Sequence, residues 1–456
     1  MLAGYRSMMR KRRVVIIGGG ITGLAAAHRL QRLDASVAIT VLERSARLGG
    51  RIRTERRDGF ILELGPDIFL SSKPRGIGLC QELGVPAVGT DPELRGSYLE
   101  RKGTLHRLPE GMSGLVPTRV GPVFRSSLLS PGAKLRFALH SIIPRRRRKA
   151  DESIAAFFTR RVGRGAFEQL IDPVLGGIYG GDGNRLSIQA TFPNLLQATH
   201  WSPAAEDTPS KLGPFLSLEG GMQTLTDSLE AGLAKAHIAL ETPVSAIRRD
   251  HDAYVVTTRK EAFDADTIIL ATPAHAAASI IAPLDAALAE EVGTIPYGSV
   301  ITLSMAYRAS DVPHRLDAYG YLVPQSEGKA LTACTWSSSK LPNRAPTGAV
   351  LLRLFLGRKD TDPIFQVDDE AIVLYARKEM KAILGITEPP LFTRLLRQPR
   401  SMPQYVLGHN DRLRRIDRCL TTLPGLFLAG AAYRGIGIPN CIADGERAAE
   451  QVAAYV

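Results

Sequence analysis

The sequence predicts an α/β fold organised around a Rossmann-like domain. Three observations carry that expectation. Near the N-terminus, "RRVVIIGGGITGLAAAHRLQRL" sets the β-branched run Val14–Ile17 directly before Gly18-x-Gly20-x-x-Gly23, and Leu24, Ala27 and Leu30 then recur with helical spacing. A second apolar run, Val37–Leu42, ends at Glu43, twenty residues after Gly23. Far along the chain, the apolar run Leu426–Ala429 leads into "GAAYRGIGIPNCIADG", with four glycines in sixteen residues, and then into a helical pattern over Glu446–Ala454.

Each element has a physical reason. A GxGxxG motif between a strand and a helix, with an acidic residue about twenty positions on, is far more specific than the glycines alone. Gly18 permits the tight turn, Gly20 lets the backbone approach a pyrophosphate, and Gly23 lets helix and strand pack closely. Unpaired N–H groups and the dipole at the helix start then favour the phosphates. The residues expected there are Gly18, Gly19, Gly20, Ile21, Thr22 and Gly23, with Glu43 and Arg44 at the end of the second strand. A carboxylate at Glu43 accepts hydrogen bonds from a ribose hydroxyl pair and repels a 2′-phosphate. The site therefore suits FAD or NAD and disfavours NADP.

Composition narrows the class. The 456 residues suffice for about two or three domains at ~150 residues each. Hydrophobic residues are 44% and charged residues 23% of the chain, as in ordinary globular proteins. The net charge of +13 favours acidic partners. Nucleic acid is not among the expected ones, because interleaved aromatics and a recognisable binding module are lacking. Cys80, Cys334, Cys419 and Cys441 form neither a CxxC nor a zinc pattern, so buried thiols in a reducing cytosol are expected. The basic N-terminus is not read as a signal peptide, and no window of about 18 apolar residues predicts a membrane span. The basic run Arg145–Lys149 reads as a solvated linker, with contact to anionic lipid or a carboxylate-rich ligand as the alternative.

After Glu43, "ERSARLGGRIRT" brings Gly49, Gly50 and Arg51, and "GFILELGPDIF" brings Gly65, Pro66, Asp67 and Ile68. This order resembles the flavin amine oxidase superfamily. The resemblance implies FAD: Gly50 and Arg51 near the pyrophosphate, Gly65–Ile68 passing the flavin ring, and the backbone of Val244 at the adenine. It also implies that the last hundred residues return to the FAD domain. Ile436, Gly437 and Ile438 then lie along the isoalloxazine, Asn440 caps the final helix, and that helix points its positive end at the flavin.

Further blocks sharpen the resemblance. "DPVLGGIYGGDGNRLSIQATFP" (172–193), "SMPQYVLGH" (401–409), "YRGIGIPNCIADG" and "ELGPDIFLSSKP" are similar to the porphyrinogen oxidase family, and to its Gram-positive-type coproporphyrinogen III oxidases above all. The likeness runs from Arg12 to Gln451. It implies six-electron oxidation of a porphyrinogen in haem biosynthesis, by hydride transfer to FAD, with O2 as acceptor and H2O2 as product. Protoporphyrinogen IX is the alternative substrate, and a flavin amine oxidase or a carotenoid desaturase a more distant reading. No residue is expected to act as a strong base, since the pyrrole N–H protons become acidic as conjugation develops. The nine histidines read as surface or packing residues. Lys73, eight residues after Gly65, is expected to meet a propionate, and Tyr179 to line the cavity. Gln398 departs from the family, whose members often carry tryptophan there against the flavin. Gly430 is not directly followed by an acidic residue, another departure from more distant flavoenzymes. No metal is expected. The implied architecture is a discontinuous FAD-binding domain (10–84, 211–280 and 401–456), a helical domain (85–210) that associates with a membrane or a partner such as the next haem enzyme, and a mixed-sheet substrate domain (281–400). The expected location is cytoplasmic, with peripheral membrane contact left open.

Overall fold

The computed structural model describes residues 11–94, 96–110, 112–113, 116–117, 120–139, 150–197, 212–359 and 361–455. The basic run 145–149 lies outside these residues, as does the side chain of Tyr179. In chain order, the strands of the two principal sheets are β1 (Arg13–Ile17), β2 (Ala38–Leu42), β3 (Tyr98–Arg101), β4 (Thr104–Arg107), β5 (His237–Ala239), β6 (Thr267–Leu270), β7 (Tyr297–Arg308), β8 (Gly320–Leu322), β9 (Leu331–Trp336), β10 (Ala349–Leu356), β11 (Phe392–Pro403) and β12 (Leu426–Leu428). The helices that position the site are α1 (Ile21–Leu33), α2 (Pro74–Glu82), α3 (Asp172–Tyr179), α4 (Asp369–Leu384) and α5 (Ile438–Ala454).

The first sheet is five-stranded and parallel, in the order β5-β2-β1-β6-β12. It draws on three distant stretches of chain, and the near-continuous apolar strands are what a sheet covered on both faces requires. Val14 and Ile16 pack with Leu24, Ala27 and Leu30 of α1 on one face, while Val15 and Ile17 pack with Ile268 and Leu270 on the other. The expected α/β Rossmann-like fold is present. α1 and α5 lie side by side, and small residues let them do so: a Cβ on Gly445 would sit 2.2 Å from the Thr22 carbonyl oxygen.

The second sheet is seven-stranded and mixed, in the order β11-β7-β10-β9-β8-β3-β4. Its pairs are antiparallel except β8 with β3. Alternation along the strands assigns its two faces. Leu303, Met305, Leu352 and Leu354 pack against Ile372, Ala376 and Met380 of α4. On the opposite face, Ala306 and Leu351 pack against Phe60, Leu62 and Leu64, which lead into the "LGPD" segment. β3 and β4 belong to this sheet, so residues 98–107 are strands of the mixed sheet although the sequence places them in the helical domain. A local apolar pattern carries no information about so distant a partner. The helical cluster itself is centred on Phe137, Phe157, Phe158, Phe167 and Leu175.

Candidate active site

The glycine loop has the expected geometry. Gly18 has φ +110°, a region that favours glycine, and a Cβ there would lie 2.8 Å from the Ala271 carbonyl oxygen. A Cβ on Gly23 would lie 2.0 Å from the Gly18 carbonyl oxygen, so helix and strand approach as only glycine allows. Gly20, in contrast, faces open space where a ligand fits. Its neighbour across the cradle is the second glycine pair: Gly49 N donates to Gly19 O at 2.8 Å, and Gly50 has φ +57° against the Gly20 Cα. Ile21 and Thr22 open α1 and present the helix start to the same space.

Glu43 is buried with its carboxylate fixed. Oε2 accepts from Gly19 N at 2.8 Å, and Oε1 accepts from Ser45 N at 2.9 Å and from Ser45 Oγ at 2.5 Å. Val244 opens the strand just after Thr242, whose N–H bonds the Glu43 carbonyl. Arg44 and Arg51 are exposed, and neither has a carboxylate partner among the described residues. Arg51 Nη2 donates to the Arg400 carbonyl at 3.1 Å. Two uncompensated guanidinium groups beside open main-chain N–H groups make a site for a phosphate-bearing cofactor, and the residues present fit FAD.

The second wall is the Leu64–Ile68 segment, held from outside by the mixed sheet. Gln398 Nε2 on β11 donates to Leu64 O at 3.0 Å, and Arg353 Nη2 on β10 donates to Gly65 O at 2.7 Å. Lys340 Nζ bonds Asp67 Oδ2 at 3.0 Å, and Ser217 Oγ donates to Asp67 O at 2.7 Å. Burial alone would raise the Asp67 pKa. The Lys340 ammonium and the Arg353 guanidinium outweigh it, so the carboxyl stays ionised below its ordinary value. Gln398 thus ties the loop by a hydrogen bond.

The third wall unites three sequence blocks at Tyr405. Its hydroxyl accepts from Gly435 N at 2.6 Å and donates to Ala431 O at 2.8 Å, fixing the C-terminal glycine loop. Its carbonyl accepts from Ser187 N at 2.8 Å, and its ring stacks on His409 at 4.0 Å. Burial lowers the His409 pKa to about 4, against the Tyr433 carbonyl contact, so this histidine is a neutral packing group. Gly180, at the end of α3, lies against Met402, and a Cβ on Gly181 would meet Gln404 Oε1 at 2.3 Å. The "GIYGGD" turn and "PQY" therefore touch.

One expectation is corrected. α5 starts at Ile438 with Gly437 as its cap residue and no side-chain cap, so Asn440 lies inside the first turn and does not cap the helix. The proline at position 439 fixes a helical φ at once, which starts the helix before Asn440. Half of the quoted loop is accordingly helical. Ile436 and Gly437 remain in the turn before it, and Ile438 is its first residue. The carboxylate missing after Gly430 is supplied by Asp444, whose Oδ2 accepts from Gly430 N at 2.8 Å. Lys73 precedes α2, next to the Asp67 segment, and has no side-chain partner among the described residues. Only the backbone of Tyr179 is placed, at the end of α3. Sequence reasoning missed Lys340, Arg353, Tyr405 and Asp444; Tyr405, in "PQY", and Asp444, in "YRGIGIPNCIADG", lay in blocks whose family likeness had drawn notice, while Lys340 and Arg353 lay in none.

Cys80, Cys334 and Cys441 are buried thiols, with burial raising Cys80 to about 11 and Cys441 to about 12. Among the described residues no group of acidic, histidine or cysteine side chains has the arrangement of a metal site, and no helix is long and apolar enough to cross a membrane.

Comparison with known proteins agrees with this geometry. The chain is 33% identical over 466 aligned residues to a coproporphyrinogen III oxidase of Bacillus subtilis, covering 98% of this chain and 99% of the relative. It is 30% identical to a protoporphyrinogen oxidase of Bos taurus, covering 97% and 98%. A solved structure from Exiguobacterium sp. 255-15, provisionally named a protoporphyrinogen oxidase, superposes with a TM-score of 0.86 at 30% identity over 98% of this chain and 99% of that one. Residues 21–453 match the model described as flavin-containing amine oxidoreductase; the chain belongs to that family and is an oxidoreductase whose cofactor is FAD.

Proposed function

We propose that the protein oxidises coproporphyrinogen III to coproporphyrin III in haem biosynthesis, with three O2 reduced to three H2O2. The full-length likeness to coproporphyrinogen III oxidases carries this reading. It is supported by the meeting of the "GIYGGD", "PQY" and C-terminal glycine segments around Tyr405. The bound flavin supplies the redox chemistry, taking up a hydride in each of three two-electron steps.

The chain's own residues bind, orient and shield. Main-chain N–H groups at the start of α1 (Gly20–Gly23) and the Arg44 and Arg51 guanidinium groups hold the pyrophosphate, Gly18 and Gly19 shape the loop around it, and Glu43 holds the ribose. Gly50 keeps the second glycine pair close to the first. Val244 meets the adenine through its backbone. Gly65, Pro66, Asp67 and Ile68 flank one edge of the ring, and Ile436, Gly437 and Ile438 flank another, with the start of α5 directed at it. Lys73 pairs with a substrate propionate at the cavity mouth, and Tyr179 lines the cavity. Coproporphyrinogen III carries four propionates and protoporphyrinogen IX two, so a chain of net charge +13 suits the former better. The location is cytoplasmic, with peripheral contact to a membrane or to the next enzyme of haem synthesis.

An amine substrate is disfavoured by one observation. Amine oxidases commonly place two aromatics as a cage over the flavin, and the only aromatic of the C-terminal loop, Tyr433, is 1% exposed, with its carbonyl 3.0 Å from His409 Nε2. The test is anaerobic mixing of the FAD-loaded protein with coproporphyrinogen III. Bleaching of the flavin, followed on aeration by about three H2O2 per porphyrin, is expected. A flavin that stays oxidised would overturn the reading.

A further inference from the structure

Behind the Leu64–Asp67 wall lies a cluster of five ionisable side chains: Glu63, Asp67, Lys340, Arg344 and Arg353. Lys340, Arg344 and Arg353 are 6%, 1% and 3% exposed, and Glu63 is 5% exposed. Glu63 is well accounted for. It accepts from Met222 N at 2.8 Å and from Thr54 Oγ1 at 2.8 Å, and lies 3.7 Å from Arg344 Nη2. Arg344 donates to Ser217 Oγ and Leu218 O at 2.8 and 3.0 Å. Asp67 is taken by Lys340. Arg353 is different. Among the described residues its side chain makes one hydrogen bond, to Gly65 O; its guanidinium lies 4.9 Å from the Phe355 ring, and its Nε and Nη1 are buried without an acceptor.

Three cations thus face two carboxylates. A buried surplus charge is costly unless a partner offsets it. Arg353 sits on the sheet face opposite α4, cross-strand from Ser304 and Thr335, and neither supplies a charge. The partner must come with a ligand, and Gly65, which Arg353 holds, belongs to the segment assigned above to the flavin edge.

We propose that the surplus positive charge of this cluster, seated by Arg353, stabilises the negative charge that the flavin acquires on reduction. The proposal rests on the placement of Gly65–Ile68 beside the ring. It makes Arg353 and Lys340 positioning residues that set how readily the cofactor is reduced. Asp67 opposes them: it keeps Lys340 in place and dilutes its charge.

The experiment needs no porphyrinogen, so failure of the substrate reading leaves it unaffected. FAD-loaded wild type, Arg353→Met, Arg353→Lys, Lys340→Met and Asp67→Asn are compared by flavin reduction potential and by affinity for sulfite, whose flavin adduct places negative charge on the ring. Arg353→Met is expected to lower the potential and weaken sulfite binding by about tenfold, the order expected of one unit charge across roughly 10 Å of protein. Lys340→Met shifts both the same way, Arg353→Lys restores most of the loss, and Asp67→Asn shifts both in the opposite direction. A merely structural role would move Arg353→Met and Asp67→Asn together, and that result overturns the proposal. So does an unchanged potential with a raised KM for substrate, which would assign Arg353 to a propionate. Should Arg353→Met not accumulate as a folded flavoprotein, the opposite signs of Lys340→Met and Asp67→Asn decide the matter alone.

Discussion

At the Gly18–Gly23 end of the site, the atoms that face the ligand are main-chain N–H groups from one short stretch of sequence. At the Gly65–Asp67 end, the segment is held by Gln398, Arg353, Lys340 and Ser217, all more than a hundred residues away from it in the chain. The first region is rigid because glycines bring backbone against backbone. The second is held by charges and hydrogen bonds that reach in from residues far along the chain. A nucleotide can be recognised by local backbone geometry, whereas the reactive ring must be adjusted by whatever sheet stands behind it. The two regions should therefore respond differently to mutation.

The largest effect belongs to the first region. Gly23→Val places side-chain atoms where a Cβ alone would be 2.0 Å from the Gly18 carbonyl oxygen, a backbone atom that has no room to yield. Loss of bound FAD, or of the folded protein, is expected, with a destabilisation above ~4 kcal/mol. Flavin stoichiometry and thermal unfolding measure it, and a variant retaining FAD at wild-type affinity would break the distinction between the regions.

Tyr405→Phe comes next. It strands the Gly435 N–H and the Ala431 carbonyl in a buried setting, at a cost of about 1–3 kcal/mol. Lower thermal stability and faster FAD release are expected, with the α1 region still folded. Unchanged stability would mean that water replaces the hydroxyl.

A pH effect sharpens the contrast between the helical segment and the sheets. Burial first, and then Asp182, raise Asp172 to about 6, against Arg358. An acid whose folded pKa lies above its unfolded value holds more protons when folded. Its stabilising contribution is thus present below about pH 4 and lost as pH rises through about 6. Asp172→Asn is expected to remove that loss and to add ~1–2 kcal/mol at pH 8, a figure reduced for solvent screening at a partly exposed site. Urea unfolding at pH 5 and pH 8 reads the difference, and an identical pH slope in the variant would refute it.

The smallest effect is at Lys73. Lys73→Ala should raise KM for coproporphyrinogen III about fivefold with little change in kcat, as suits one partly exposed ion pair worth ~1 kcal/mol. An unaltered KM would leave Lys73 a loop residue.

Legibility followed the same division. The strand, glycine loop, helix and Glu43 were visible because each acts through neighbours in sequence, and the parallel sheet followed from them. The mixed sheet was expected only through a family likeness, and the hairpin of Tyr98–Arg101 and Thr104–Arg107 was not foreseen as part of it, because the strand that ties the hairpin to the sheet, Gly320–Leu322, lies more than two hundred residues away. Asn440 looked like a cap because asparagine often is one, yet the preceding proline starts the helix earlier. Lys340 and Arg353 gave no signal at all. A lysine after a serine run and an arginine in an apolar strand acquire meaning only when the fold carries them to Asp67 and Gly65.

The central claim is tested most directly by kcat/KM of the FAD-loaded protein on coproporphyrinogen III and on protoporphyrinogen IX, read by porphyrin fluorescence. A ratio well above tenfold in favour of the four-propionate substrate is the predicted result. A preference for protoporphyrinogen IX, or turnover of neither, would contradict the account.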